Sequence, residues 1–462
     1  MISTFFGIES ARRGLQVHRR SMETTGHNIA NANTPGYSRQ EAVHTASTPY
    51  TAPALHRVLT PGQLGSGVSV DQVRRIRNEY LDAQYRDNAA NEGFWKAKAD
   101  VAQQAELIFP EPLGRGIQSV MLNFFNDWHE LNNNPQDAGV KAAVRESGLE
   151  LASLFRQTYS QLDHVRESIA EADAVGNIIK GRVHDQIGQI NGIVKEIQEL
   201  NTAIERIKAL GNQPNDLMDR RDVLLDKLSL HGELDIQVQS AAQNMISIKM
   251  FDSYLLDDNN NQQTLSATMD SNYNFTFVFG TLPPVPPSGT GYLAGLQKSI
   301  TEVNGFINSL NLLAKELIEG VNATHNPKPP NSGNDFFTGD SASTIEVAGN
   351  IIATTANIDG NKALAVAQLR SVPIVNLNNG TMEGYYQGLV SEVGANSKTA
   401  LDQLTNQLAI REQVESLRES AAGVSLDEEL SRMVQFQYGF QASARMMAAL
   451  DDMLDVIINR LF

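Results

Sequence analysis

The last part of the chain carries a continuous apolar stripe with helical spacing. From Leu426 onwards, mainly apolar residues recur every three or four positions, and no glycine or proline interrupts after Gly439. This spacing predicts one long helix with an apolar seam along one side, as in a coiled coil. The seam residues predicted on this helix are Leu426, Met433, Phe436, Phe440, Met447, Leu450, Leu454 and Ile457.

The first 30 residues repeat this rhythm with fewer apolar side chains, and their predicted seam residues are Ile8, Leu15, Met22 and Ile29. The first 40 residues hold five arginines and two acids, whereas the last 38 hold three arginines and six acids. If the two helices pair antiparallel with both termini at one tip, Arg12 lies near Asp451 and Arg19 near Ala444, and the opposite charges of the two ends agree with this hypothesis. The alternative is two unrelated amphipathic helices, each packed on its own core.

Between the two ends, the pattern changes from helix to strand and back. On one inner helix, Asn201 takes a seam position, where a polar residue fixes register. Alternating apolar residues predict strands at 234–238, 246–250, 275–279 and, more weakly, 345–347, because alternate side chains of a strand share one face. The predicted inner helices span 74–91, most of 94–227, 292–324, 362–370 and 396–421.

This order predicts an elongated, multidomain protein that is mainly α with β insertions. Helical segments at both chain ends bracket inner helices, which in turn bracket β material, so we expect discontinuous domains made of outgoing and returning segments. The predicted units are a coiled-coil-like inner-core domain of 1–60 and 424–462, a helical rod domain of 61–230, 289–326 and 395–423, a small β insertion at 231–288, and a mixed insertion at 327–394.

The composition limits the classes of function that the chain can have. The net charge of −16 argues against nucleic acid as a partner. The chain has no cysteine, which suits a protein that leaves the cytoplasm without disulfide chemistry. It has no apolar run of membrane-spanning length, so we expect no membrane insertion, and no cleavable secretory signal is visible at its start.

No motif of catalysis, cofactor binding or metal binding is present, so we predict a protein that is not an enzyme and has no cofactor. The sequence has no HExxH, no P-loop, no GxGxxG after a strand and no CxxC. Asp219, Asp222 and Asp226 share a helix face, with Arg220 and Arg221 nearby, and we interpret them as ion pairs on a helix surface.

A dense turn motif follows the first helix. Asparagines favour turns, Pro35 forbids a continuing helix, and Gly36 permits a positive φ, so the residues alone predict a helix stop. The motif residues singled out are Asn28, Asn31, Asn33, Thr34, Pro35, Gly36 and Tyr37.

As a whole, NIANANTPGYSRQ at 28–40 resembles the N-terminal signature of bacterial flagellar rod, hook and hook-associated proteins. With the start ISTFFGIESARRGL, the C-terminal stretch 423–459 and the run 215–222, the chain is most similar to the FlgK family of hook-associated proteins.

That resemblance implies a structural, extracellular component of the flagellum at the junction between hook and filament. It implies passage through the flagellar type III export apparatus and self-association in a helical ring through the terminal helices. The implied partners are the hook protein, a second hook–filament junction protein, and an export chaperone at the C-terminal helix. Two alternatives stay open: another axial protein, such as a hook or distal rod protein, and a secreted enzyme carried on flagellar termini.

Overall fold

The computed structural model describes residues 5–48, 65–110, 116–238, 245–326 and 334–459. Helices dominate the described chain and small sheets interrupt them, which confirms the predicted fold class. The last residue of the predicted inner-core segment, residue 60, lies outside the described residues.

The two chain ends form one unit. Helix α1 (Phe5–Ala30) and helix α11 (Leu426–Asn459) lie side by side and antiparallel, as predicted. Strands β1 (Gln40–Ala46) and β2 (Val68–Arg75) pair as an antiparallel hairpin that packs on α1. Helix α1 is therefore covered on one side by α11 and on another by the hairpin.

The predicted helix 74–91 is wrong at its beginning. Strand β2 continues to Arg75, and helix α2 (Glu79–Glu106) begins only after Asn78, whose Oδ1 accepts the backbone N–H of Tyr80 and Leu81. Asn78 is a side-chain N-cap, the usual signal for a helix start. The sequence pattern conceals this start because the charged residues before Asn78 also suit a solvated helix.

The inner helices bury their apolar positions at three- and four-residue intervals. Trp128 lies at their centre, fully buried against Phe124, Phe336 and His325. Helices α2, α7 and α10 pack side by side, which brings together segments far apart in the sequence. The inner helices are α3 (Ile117–Asn133), α4 (Ala138–Ile169), α5 (Arg182–Ala209), α6 (Asn215–Ser229), α7 (Tyr292–His325) and α10 (Met382–Ala422).

A small β module packs on α5. Its predicted strands are confirmed, and Phe251 stacks on Phe277 in its core with ring centroids 5.1 Å apart. Asn201 is fully buried, and its Nδ2 donates to the Ile246 carbonyl and to Asn260 Oδ1. The strands are β3 (Glu171–Ala172) and β4 (Ile178–Lys180), then β5 (Leu234–Val238), β6 (Ile246–Met250), β7 (Ser253–Leu256), β8 (Leu265–Met269) and β9 (Phe275–Phe279).

The segment before α10 is irregular, with strands β10 (Phe337–Thr338) and β11 (Glu346–Val347) and short helices α8 (Gly349–Ala353) and α9 (Ala363–Gln368). Helix α10 begins fourteen residues before the predicted position 396, because Thr381 caps it and accepts the Gly384 N–H. The predicted domain boundary at residue 395 therefore falls inside α10. The division of the chain into four units stays a prediction.

Candidate assembly interface

The terminal helices approach closely where one of them carries glycine. A Cβ atom on Gly439 would lie 2.5 Å from the His18 ring, and one on Gly14 would lie 2.9 Å from the Ser443 hydroxyl. Neither gap has room for a side chain. Gly439 therefore makes room for the His18 ring, and Gly14 makes room for the Ser443 side chain of the facing helix.

The same contacts fix the register of the pair and correct the predicted one. Arg12 lies level with Arg445, which is six residues away from its predicted neighbour Asp451. Arg12 instead pairs with Glu9 of its own helix, with 2.7 Å between nitrogen and oxygen. The predicted neighbour of Arg19, Ala444, is likewise six residues away from the position that lies level with Arg19. The predicted register, which placed both termini at one tip, is wrong because packing at the glycines determines the alignment.

The predicted seam residues are only partly covered in the single chain. On α1, all four are half-buried, and on α11 Leu426 is exposed. The side chain of Ile457 lies outside the described residues. The half-buried seam residues are Ile8, Leu15, Met22, Ile29, Met433, Phe436, Phe440, Met447, Leu450 and Leu454.

A second apolar surface runs along α11 on the side that α1 does not cover. Its first four positions recur every four residues, and Tyr438 is 68% exposed. Monomeric proteins rarely expose long contiguous apolar patches, and those that exist usually mark interaction sites. This surface, called here the outer face of α11, consists of Leu426, Leu430, Val434, Tyr438, Met446, Met453 and Val456.

Asn28 connects the end of α1 to α11. Its Nδ2 donates to Glu429 Oε2 and to the Gln40 carbonyl, each at 2.9 Å. Its Oδ1 accepts the Tyr37 hydroxyl and the Gln40 N–H. Asn28 is 1% exposed, and its Nδ2 and Oδ1 both form hydrogen bonds. It therefore links the turn motif to the last helix.

The remaining motif residues either shape the turn after α1 or lie on its surface. Gly36 has a φ of +78°, and a Cβ on it would lie 2.1 Å from Val223 Cγ2, so only glycine fits there. Asn31 Nδ2 donates to the His27 carbonyl and so continues the end of α1. Four motif residues are exposed: Asn33, Thr34, Pro35 and Gly36 itself.

The strand that follows the motif docks on the start of α6. Ser38 donates its N–H and its hydroxyl to Asp219, at 3.1 and 2.8 Å. Gln40 donates to Asp216 Oδ1 and accepts from Asn215 Nδ2. The stretch 215–222, which the resemblance singled out, thus forms the surface on which the terminal unit rests.

Buried charges complete this junction. Arg75 pairs with Asp219 and Asp222 at 2.8 and 2.7 Å, and Arg77 pairs with Asp222 at 2.9 Å. Burial opposes the charge on Asp222, but Arg77 and Arg75 outweigh it and hold its pKa below the ordinary value. Burial dominates at Asp219 and raises its pKa.

The interpretation of these aspartates as surface ion pairs of one helix is therefore wrong. Asp219 is buried, the side chain of Asp222 is only 13% exposed, and their partners come from β2 and the segment before α2. Asp226 pairs with Arg86 of α2 and Arg418 of α10, both at 2.9 Å. The network ties outgoing and returning segments together. Sequence spacing gave no signal for it, because the arginines lie more than a hundred residues from the aspartates.

Other kinds of site find little support in the described chain. In the ranges that the structure covers, no cluster of histidine or acidic side chains could hold a metal ion. The helices of the same ranges also include none with an apolar stretch that could span a bilayer.

Comparison with known proteins agrees with this geometry. The family described as the flagellar hook-associated protein FlgK helical domain matches residues 102–337. The ends match flagellar basal body rod families, the rod protein at 8–37 and the FlgEFG C-terminal family at 418–461. Curated relatives span essentially the whole chain. Flagellar hook-associated protein 1 of Bacillus subtilis is 29% identical, over 99% of each chain, and that of Escherichia coli is 23% identical, over 98% of this chain and 99% of its own.

Among solved structures, the flagellar hook junction protein FlgK from Burkholderia pseudomallei matches with a TM-score of 0.60 at 14% identity. The match covers 75% of this chain and all of that one, and it shows the shared fold. The paired terminal helices and the matching end families define a structural protein of the flagellar axis. Within that class, the chain belongs to the FlgK family of hook-associated proteins. This membership decides against the alternatives of a hook or distal rod protein.

Proposed function

We propose that this chain joins the flagellar hook to the filament as a ring of copies held together by their terminal helices. The outer face of α11 is the observation that carries the proposal. One side of α11 is covered by α1, and the opposite side presents a long apolar surface to solvent. A surface of this kind is stabilised when a neighbouring subunit removes it from water.

The sequence resemblance and the family membership support the proposed export route and the proposed partners. The chain passes unfolded through the flagellar type III export apparatus, and an export chaperone holds the C-terminal helix beforehand. In place outside the cell, it contacts the hook protein on one side and a second junction protein on the other. It performs no catalysis, and the absence of a nucleophile or metal motif in the sequence supports that part of the proposal.

The test uses Leu450→Asp combined with Leu454→Asp, in a strain that lacks its own copy of this protein. Both side chains lie half-buried on the terminal pair, so two added charges should prevent tight pairing and assembly. We expect loss of filaments and swimming, with the inner helices still folded by circular dichroism.

The matched control is Gln157→Asp combined with Gln161→Asp, which adds the same charge at exposed polar positions of helix α4, away from the terminal helices. It should swim normally. Normal swimming of the leucine variant would instead refute the role of the terminal pair in assembly.

A further inference from the structure

The terminal helices differ in charge. Helix α1 contains four arginines and two glutamates, whereas α11 contains two arginines and six acids. The net charges are therefore +2 and −4. Opposite charges on two surfaces steer their association and disfavour contacts between like surfaces.

Three of the four arginines of α1 are presented outward, away from α11 and the hairpin. Arg12, Arg19 and Arg20 have side chains that are 50%, 68% and 59% exposed. Exposed residues recur along this side at three- and four-residue intervals. This surface, called here the arginine face of α1, consists of Arg12, Gln16, Arg19, Arg20, Glu23 and His27.

Within one copy, the arginine face does not meet the acids of α11. Its arginines pair inside α1, Arg12 with Glu9 and both Arg19 and Arg20 with Glu23. Such exposed pairs between near neighbours of one helix contribute little stability, so they can exchange partners. The register places Arg12 level with Arg445, so the opposite charges of the two helices are kept apart.

We propose that the outer face of α11 in one copy packs against the arginine face of α1 in the next copy. This inference rests on the proposed self-assembly and specifies its contact. Arginine side chains suit an apolar surface because their methylene stems cover it while the guanidinium stays hydrated. The guanidinium can also stack on the ring of Tyr438. Asp451 and Asp452 are exposed on the same helix and supply opposite charge.

The contact joins two different surfaces and is therefore head-to-tail. A head-to-tail contact generates a ring or a helical array, whereas a contact between two copies of the same face stops at a dimer. The alternative contact of α11 with α11 would bring two helices of net charge −4 together, which the charges disfavour.

The test mixes two charge-reversed chains. One carries Arg12→Glu and Arg19→Glu, and the other carries Asp451→Lys and Asp452→Lys. Each alone should incorporate into flagella at least tenfold less than the unchanged chain, because its faces repel. Produced together, they should recover incorporation, since each supplies the face that the other needs.

The outcomes separate this inference from the proposed function. If the unchanged chain does not assemble, the proposed function fails. If the unchanged chain assembles and the Arg12→Glu, Arg19→Glu chain does so equally well alone, α11 contacts another surface and the inference is overturned. Absence of recovery in the mixture overturns it as well.

A second measurement does not depend on charge reversal. The chain contains no cysteine, so single cysteines can be placed at Gln16 in one copy and at Tyr438 in another, both exposed. Oxidation of assembled mixtures should give disulfide-linked pairs that contain one copy of each. Pairs formed only between Tyr438→Cys copies would show the α11–α11 contact and contradict the inference.

Discussion

Asn28 donates a hydrogen bond from Nδ2 to Glu429 Oε2 at 2.9 Å, across 401 positions of sequence. Both side chains are buried, and both lie where a terminal helix meets the rest of the molecule. The turn motif after α1 therefore does more than end a helix. It holds the first helix, the hairpin and the last helix in one arrangement.

Asn28→Asp should destabilise the terminal unit by about 3 kcal/mol. The substitution keeps the shape but replaces the donor to Glu429 with a second acid in a buried place. Faster hydrogen exchange of α1 amides in the full-length protein would measure the loss. Asn33→Asp adds the same charge at an exposed position of the same motif and should leave exchange unchanged. Equal exchange in the two variants would show that the Asn28–Glu429 bond contributes little.

Gly36→Ala should cost about 2 kcal/mol or more, because a side chain there adopts a positive φ and meets Val223. Adding Val223→Ala should recover the steric part only. Urea unfolding would measure both variants. Gly188→Ala is the matched control, since a Cβ there meets nothing within 4 Å in the middle of α5. It should stabilise the helix by about 0.5–1 kcal/mol. A Gly36→Ala protein as stable as the unchanged chain would contradict the packing.

Acid should destabilise the molecule partly through His231. Burial lowers the pKa of this histidine to about 4, so it stays neutral in the folded protein, whereas the unfolded chain takes up a proton below its ordinary pKa of about 6.5. The neutral His231 therefore contributes to the free energy of unfolding at neutral pH, and this contribution is lost as the pH falls from about 6.5 towards 4. The loss reaches about 3 kcal/mol at most.

His231→Gln should flatten this part of the curve of unfolding free energy against pH. His184→Gln, at an exposed position of α5, is the control and should leave the curve unchanged in shape. An identical acid dependence in the His231→Gln protein would exclude this histidine as the cause.

The helices were predictable from sequence because each buries one face, and burial repeats with helical spacing. Asn201 was likewise identified as a polar residue in an apolar seam, although its partners in the β module could not be foreseen. The contacts between α6 and the hairpin were harder to predict. Asp222 and Arg75 meet only because α6 folds back onto the hairpin, and no periodicity within either segment records that contact.

The predicted register of α1 against α11 was wrong for a related reason. Placing both termini at one tip put Arg12 beside Asp451, and the charge match agreed, but the narrow gaps at Gly14 and Gly439 determine which residues meet. Exposed ion pairs contribute little energy compared with packing, so charge is a poor guide to register. The beginning of α10 was misplaced because Thr381 is a cap in an otherwise irregular stretch.

The glycines of α1 have a consequence for the order in which the molecule can mature. Gly7, Gly14 and Gly26 each disfavour helix by about 1 kcal/mol relative to alanine, so α1 alone is a weak helix. Its support, α11, begins only at Leu426, far from α1 in the sequence. We therefore expect the first helix to become firm only when α11 docks on it, so that a chain cut between the two helices would lack an ordered first helix.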